Sequence, residues 1–131
     1  MAMACFTSIA EPASPSLAKD SRCFEMRTYH AAPGKLEALH KRFHEHTNQL
    51  FVKHGMELVG YWVPMDKDKK YENTLVYILA YPSREAREKS WTEFQADPAW
   101  KAAKDASEVD GKLVEKVDQL FMTATDYSPI K

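Results

Sequence analysis

Phe24-Glu25-Met26-Arg27-Thr28-Tyr29-His30-Ala31-Ala32-Pro33-Gly34-Lys35 decides how the rest of the chain is read. Its first half alternates with the strand period of two. Phe24, Met26 and Thr28 therefore share one face, and Glu25, Arg27 and Tyr29 share the other. A half-buried strand ordinarily turns its polar face to water. Here that face carries a carboxylate, a guanidinium and a phenol in a row, with His30 at the strand's end. Such a set either binds something or is solvated surface. Pro33 follows at a position suited to the first turn of a helix.

Outward from there, Leu36, Leu39, Phe43, Thr47, Leu50 and Phe51 fall on one stripe at three- and four-residue spacing, the mark of an amphipathic helix. His54-Gly55 supplies the stop, glycine being suited to the left-handed cap. Residues 57–64 read as a strand ended by Pro64, and 65–70 as a charged hairpin tip. Residues 73–81 are apolar on both faces and so form a central strand. Ser83 is a candidate N-cap for a second helix that buries Ala86, Ser90, Trp91 and Phe94 and breaks at Asp97-Pro98. A short helix containing Trp100 runs to about residue 107. Residues 108–111 are a turn, and a last strand is best placed at 117–124. The order β-α-β-β-α-β is the ferredoxin-like α+β plan, an antiparallel sheet with its helices on one face. The other face needs cover, and Val59, Tyr61, Tyr77 and Leu79 are expected to line it beside Arg27 and Tyr29. A bare face of that size is an association patch. Pairing two sheets into a closed dimeric α+β barrel removes it, so a homodimer is expected.

The 131 residues allow one domain with a proper core. Residues 1–22, rich in Ala, Ser and Pro, read as a flexible tail. The domain spans 23–128, and 129–131 form a C-terminal tail. A formal charge of -1 lacks the basic footprint of a nucleic-acid binder. The longest apolar run, 74–81, is too short to span a membrane. Two cysteines, Cys5 and Cys23, make neither a disulfide framework nor a zinc site, and both read as free thiols. The expectation is a soluble, cytoplasmic protein, with export the alternative if the chain is trimmed from a longer precursor.

Several segments in order carry a resemblance: Phe24 to Tyr29, the Pro33-Gly34-Lys35-Leu36 helix start, Lys53-His54-Gly55-Met56, Gly60-Tyr61-Trp62 and Asn73-Thr74-Leu75-Val76-Tyr77. Ser90-Trp91, Phe94, Asp97-Pro98 and Trp100 complete the set. Together they resemble the NIPSNAP family over about residues 23–128. The resemblance implies a dimeric α+β barrel, a fold shared with small monooxygenases, isomerases and some haem enzymes. It implies no activity, because the family has no settled common chemistry.

The candidate site residues follow from the first strand. Facing a cavity, Arg27 can orient an anion bidentately. Glu25, if poorly solvated, becomes a general base with a raised pKa; the bland reading is a structural ion pair. His30, placed at the cavity mouth, is the second catalytic candidate. Tyr29, Tyr61 and Tyr77 are candidate walls for a ligand. His40 and His44 are four apart, a spacing that can present two imidazoles to a metal, but no third ligand or HExxH string accompanies them. No metal or other cofactor is predicted, although haem and metal stay open. The reading is a homodimer binding a small aromatic or anionic molecule, with cofactor-independent oxygenation or isomerisation as its enzymic form. The alternative is a non-catalytic interaction module.

Overall fold

The computed structural model describes residues 15–131. Strand β1 (Cys23–Ala31) leads through a turn into the first helical rod, then β2 (Glu57–Trp62), β3 (Thr74–Tyr81), helices α3 (Arg84–Ala96) and α4 (Pro98–Ser107), and β4 (Val114–Met122). The strands lie in the order β2-β3-β1-β4, every neighbouring pair antiparallel. This is the ferredoxin-like plan expected from the pattern.

The first rod starts later than Pro33 suggests. Pro33 and Gly34 instead occupy the middle of a turn closed by Lys35 N–H to Ala32 O at 2.9 Å. Gly34 has φ +76°, the left-handed position that a type II turn reserves for glycine. Helix α1 then spans Leu36–Arg42 and α2 spans Asn48–Lys53. A π-helical turn, Phe43–Thr47, joins them without a break. Gly55, at φ +81°, ends the rod, with Met56 N–H reaching back to Phe51 O at 3.0 Å. Ser83 caps α3 by accepting from Ala86 N–H at 3.0 Å. Asp97 does the same for α4 through Ala99 N–H at 2.9 Å. Strand β4 begins three residues before the expected start, because Val114 pairs with Ala31.

The helices pack on the face that carries Glu25, Arg27 and Tyr29. Leu39, Phe43 and Phe51 from the rod and Trp91 and Phe94 from α3 meet Leu75, Tyr77, Leu79 and Tyr81 from β3. This corrects the expected sidedness: Tyr61, Tyr77 and Leu79 lie under the helices with Arg27 and Tyr29, not on the uncovered face. Only Val59 of that group packs on the other side, against Phe24, Ala80, Ile78 and Met122. A register shift between Leu58 and Gly60 accompanies it. The physical reason is that the helix layer brings polar partners with it, so the charged strand face can be buried. The uncovered face carries Met26, Val76 and Ile78, all half-buried, with Trp62 and Leu120 exposed.

Residues 15–22 run beside the C-terminal segment. Leu17 bridges Thr125, and Ala18 N–H donates to Ala124 O at 3.0 Å. Cys5 lies outside the described residues; Cys23 is a half-buried free thiol whose pKa burial raises.

Candidate functional site

Glu25 is the centre of a buried polar network. Its side chain has no exposure, and both oxygens are fully engaged. Oε1 accepts from Tyr81 Oη at 2.7 Å and Arg87 Nε at 3.1 Å. Oε2 accepts from Arg27 Nη1 and Arg87 Nη2, each at 2.8 Å. Burial alone would raise the carboxyl pKa, but the hydrogen bonds from Arg87 and Tyr81 and the charge of Arg27 outweigh it, and the net shift is downward. The raised pKa expected of a general base is therefore contradicted: four donors hold Glu25 as an anion.

Arg27 extends the network towards the helices. Nε donates to Tyr77 Oη at 2.9 Å, Nη1 to Gln119 Oε1 at 3.1 Å and Nη2 to Tyr29 Oη at 3.4 Å. Its guanidinium lies 4.2 Å from the centre of the Trp91 ring, a cation–π contact, and Trp91 Nε1 donates to Tyr81 Oη at 2.7 Å. Burial pulls the Arg27 pKa down, yet Tyr77, Tyr29 and Glu25 more than reverse it. Arg27 stays charged throughout.

A cavity of about 280 Å³ opens between the rod, the C-terminal halves of α3 and α4, and the start of β4. Arg27 and Tyr29 line its floor, Phe43, Trp91 and Trp100 its apolar walls, and Lys104, Lys112 and Lys116 its rim. Arg42, which sequence reading passed over, lines it too. Arg42 is buried, donates to Ser107 Oγ at 3.2 Å and approaches Glu108 only to 3.8 Å. Its Nε has no hydrogen-bond partner. Burial, incompletely offset by Glu108, lowers its pKa. A buried cation so thinly compensated is suited to an anion arriving from outside.

The remaining predicted residues separate. Tyr77 is fully buried and lines neither this cavity nor the next; it holds Arg27. Tyr61 faces a different cavity, beyond Phe43. His30 lies on the opposite sheet face from Glu25, its Nε2 2.9 Å from Asp118 Oδ2, because even-numbered residues of β1 point away from the helices. The structure does not bring Glu25 and His30 together. Arg87 was read as part of a solvated face; its spacing of four from Trp91 was the signal that it shares the buried stripe. Among the described residues, no three His, Cys, Asp or Glu side chains gather as a metal site, and no helix is long and apolar enough to cross a membrane.

A ferredoxin-like α+β domain with a cationic, aromatic-walled cavity between sheet and helices is thus the class of protein that fold and site define. The NIPSNAP family model matches residues 24–129, and the chain belongs to that family. It is similar to the crystal structure of a NIPSNAP family protein of unknown function from Agrobacterium tumefaciens, at 25% identity and a TM-score of 0.75, covering 88% of this chain and 99% of that one. An uncharacterized NIPSNAP domain protein from Burkholderia xenovorans is 23% identical with a TM-score of 0.68, covering 82% and 98%. A Bacteriodes thetaiotaomicron protein named for antibiotic biosynthesis monooxygenase shares the fold at 16% identity and a TM-score of 0.53, covering 83% and 92%. No curated protein matches the chain.

Proposed function

We propose that this NIPSNAP protein is a homodimeric binding protein whose cavity receives a small planar anion. Arg42 meets the anionic group, Arg27 supports it from the sheet, and Tyr29 and the aromatic walls take the flat body of the ligand. The observation that carries this is the buried Arg42 guanidinium with an unpartnered Nε beside the aromatic cavity it lines. Glu25 serves the site by position: it fixes Arg27 through the 2.8 Å contact and leaves the guanidinium edge where Tyr29 sits.

An enzymic version, oxygenation or isomerisation without a cofactor, needs a proton acceptor within reach of the ligand. Glu25 has its acceptor positions occupied, and His30 is across the sheet. Binding is therefore the better supported reading. The monooxygenase likeness is one of fold and supplies no residue. The homodimer rests on the uncovered sheet face, where Trp62 and Leu120 are about half exposed (52% and 53%) among further apolar side chains. That same face supports the alternative, an interaction module without catalysis.

Calorimetry with 2-naphthoate and the uncharged 2-naphthamide tests the ligand reading. The carboxylate is expected to bind roughly tenfold or more tightly than the amide, since a charge-assisted contact is worth about 1.5–3 kcal/mol. Arg42→Gln is expected to erase the difference. Equal binding of the two compounds to the unaltered protein overturns the proposal.

A further inference from the structure

The larger cavity, about 660 Å³, lies on the other side of Phe43 from the one just assigned. Two buried polar atoms on its wall have no partner among the described residues: Tyr61 Oη and Asn48 Oδ1. They come from separate elements. Tyr61 is on edge strand β2, stacked on Tyr77 at 5.1 Å and 17°, and edge-on to Phe43 at 5.4 Å. Asn48 is the first residue after the π-helical turn. A π turn inside an α-helix is costly and recurs where a helix must re-aim side chains at a functional site.

Burial, reinforced by the nearby Tyr29, pushes the Tyr61 pKa up, so its hydroxyl stays protonated and can donate. The Asn48 carbonyl can only accept. The wall therefore asks for a ligand that accepts at one point and donates at another. The charged lining is close to balanced, with Glu37 and Glu45 against Lys41 and the two imidazoles of His40 and His44. This differs from the lysine-rimmed first cavity. At the rim, the Trp62 indole is half exposed and lies against the backbone at Gly60, where an added Cβ would come within 2.5 Å of the ring. Glycine thus leaves room for a flat apolar surface at the cavity mouth.

We propose that this second cavity is a binding site for an uncharged planar heterocycle of the lactam or carboxamide kind, with N–H and C=O groups on its edge. Tyr61 donates to the ligand carbonyl, Asn48 accepts from its N–H, and Phe43 and Trp62 contact its faces. The site is independent of the anion site, since neither Arg27 nor Arg42 lines it.

Titration of quinolin-2(1H)-one into ¹⁵N-labelled protein tests this, with the N-methyl derivative and 2-naphthoate as comparisons. Saturable shifts are expected at the Trp62 indole N–H and the Asn48 side-chain amide. The N-methyl compound, unable to donate, is expected to bind several-fold more weakly. Tyr61→Phe should weaken quinolinone binding roughly fivefold or more, the scale of one lost hydrogen bond, and Arg42→Gln should not change it. Asn48→Leu reads the same loss from the other wall, so the test does not hang on one variant. The proposal falls if quinolinone gives no saturable shift, shifts only Trp91 and Trp100, or binds both variants as it binds the unaltered protein. A shift of Trp62 by 2-naphthoate that Arg42→Gln abolishes would merge the two cavities into one anion site and also overturn it.

Discussion

Arg87 of α3 closes a two-point fork on Glu25 of β1, Nε to Oε1 at 3.1 Å and Nη2 to Oε2 at 2.8 Å. The residues are 62 apart in sequence, and their contact fastens the second helix to the middle of the sheet. Arg27, two residues from Glu25, makes a single contact at the same distance. The long-range partner holds the carboxylate by both oxygens, whereas the local one holds it by one.

Removing the fork leaves a fully buried carboxylate short of two donors. Arg87→Met is expected to cost about 3–5 kcal/mol, the usual penalty for breaking one side of a buried pair, measured by urea unfolding. A loss below about 1 kcal/mol would place the pair among weakly coupled surface contacts and refute the structural role.

The same network sets an acid limit. The folded pKa of Glu25 lies below its ordinary value of 4.5, so the folded state binds its proton less readily than the unfolded chain does. That contribution to stability is fully present above about pH 4.5 and is lost as pH falls through the depressed folded value. Glu25→Gln is expected to flatten the fall in unfolding free energy between pH 5 and 3, all three values being order-of-magnitude bounds from the same linkage. Parallel profiles for the two proteins would show that other groups govern acid unfolding.

Leu120 stands opposite Met26 on the uncovered face and is about half exposed. If that face joins two copies, Leu120→Lys places a charge in the interface on each side. Sedimentation is expected to change from dimer to monomer, with monomer stability altered by less than about 0.5 kcal/mol, as for an exposed position. An unchanged dimer would locate association elsewhere.

Asn73 enters β3 at φ 54°, in the left-handed region where asparagine is tolerated and other side chains are strained. Asn73→Ala is expected to lower stability by about 1 kcal/mol, and Asn73→Gly to leave it nearly unchanged. Equal effects of the two would remove backbone strain as the explanation.

Much of this architecture was readable from spacing alone. The period-two run from Phe24 to Tyr29 gave β1, Ser83 and Asp97 marked their caps, and the stripe from Leu36 to Phe51 gave the first rod. What spacing does not carry is which side of β1 the helices choose. Phe24 and Met26 form the more apolar face, and by hydrophobicity alone that face would be the core. Arg87 and Trp91 supply hydrogen bonds and ring contacts that make burial of Glu25 and Arg27 tolerable, and both arrive from far along the chain. The site suffered for the same reason. Arg27 and Tyr29 were found from their own strand, but Arg42 and Asn48 depend on how the rod turns, which the helical stripe does not reveal. Arg42 sits three residues after Leu39 and beside Phe43, a position that could have flagged it as inward.

The π turn from Phe43 to Thr47 has a consequence for how the rod tolerates change. His44, Glu45 and His46 are all exposed, so their identities are nearly free. Their number is not. Deleting any one restores a regular α-helix and rotates everything after it by about 100°. That would swing Phe51 away from Phe94, 4.9 Å distant, and Asn48 from its cavity. This segment is permissive to spelling and strict about length, so substitutions there are expected to be silent and single deletions to unfold the domain.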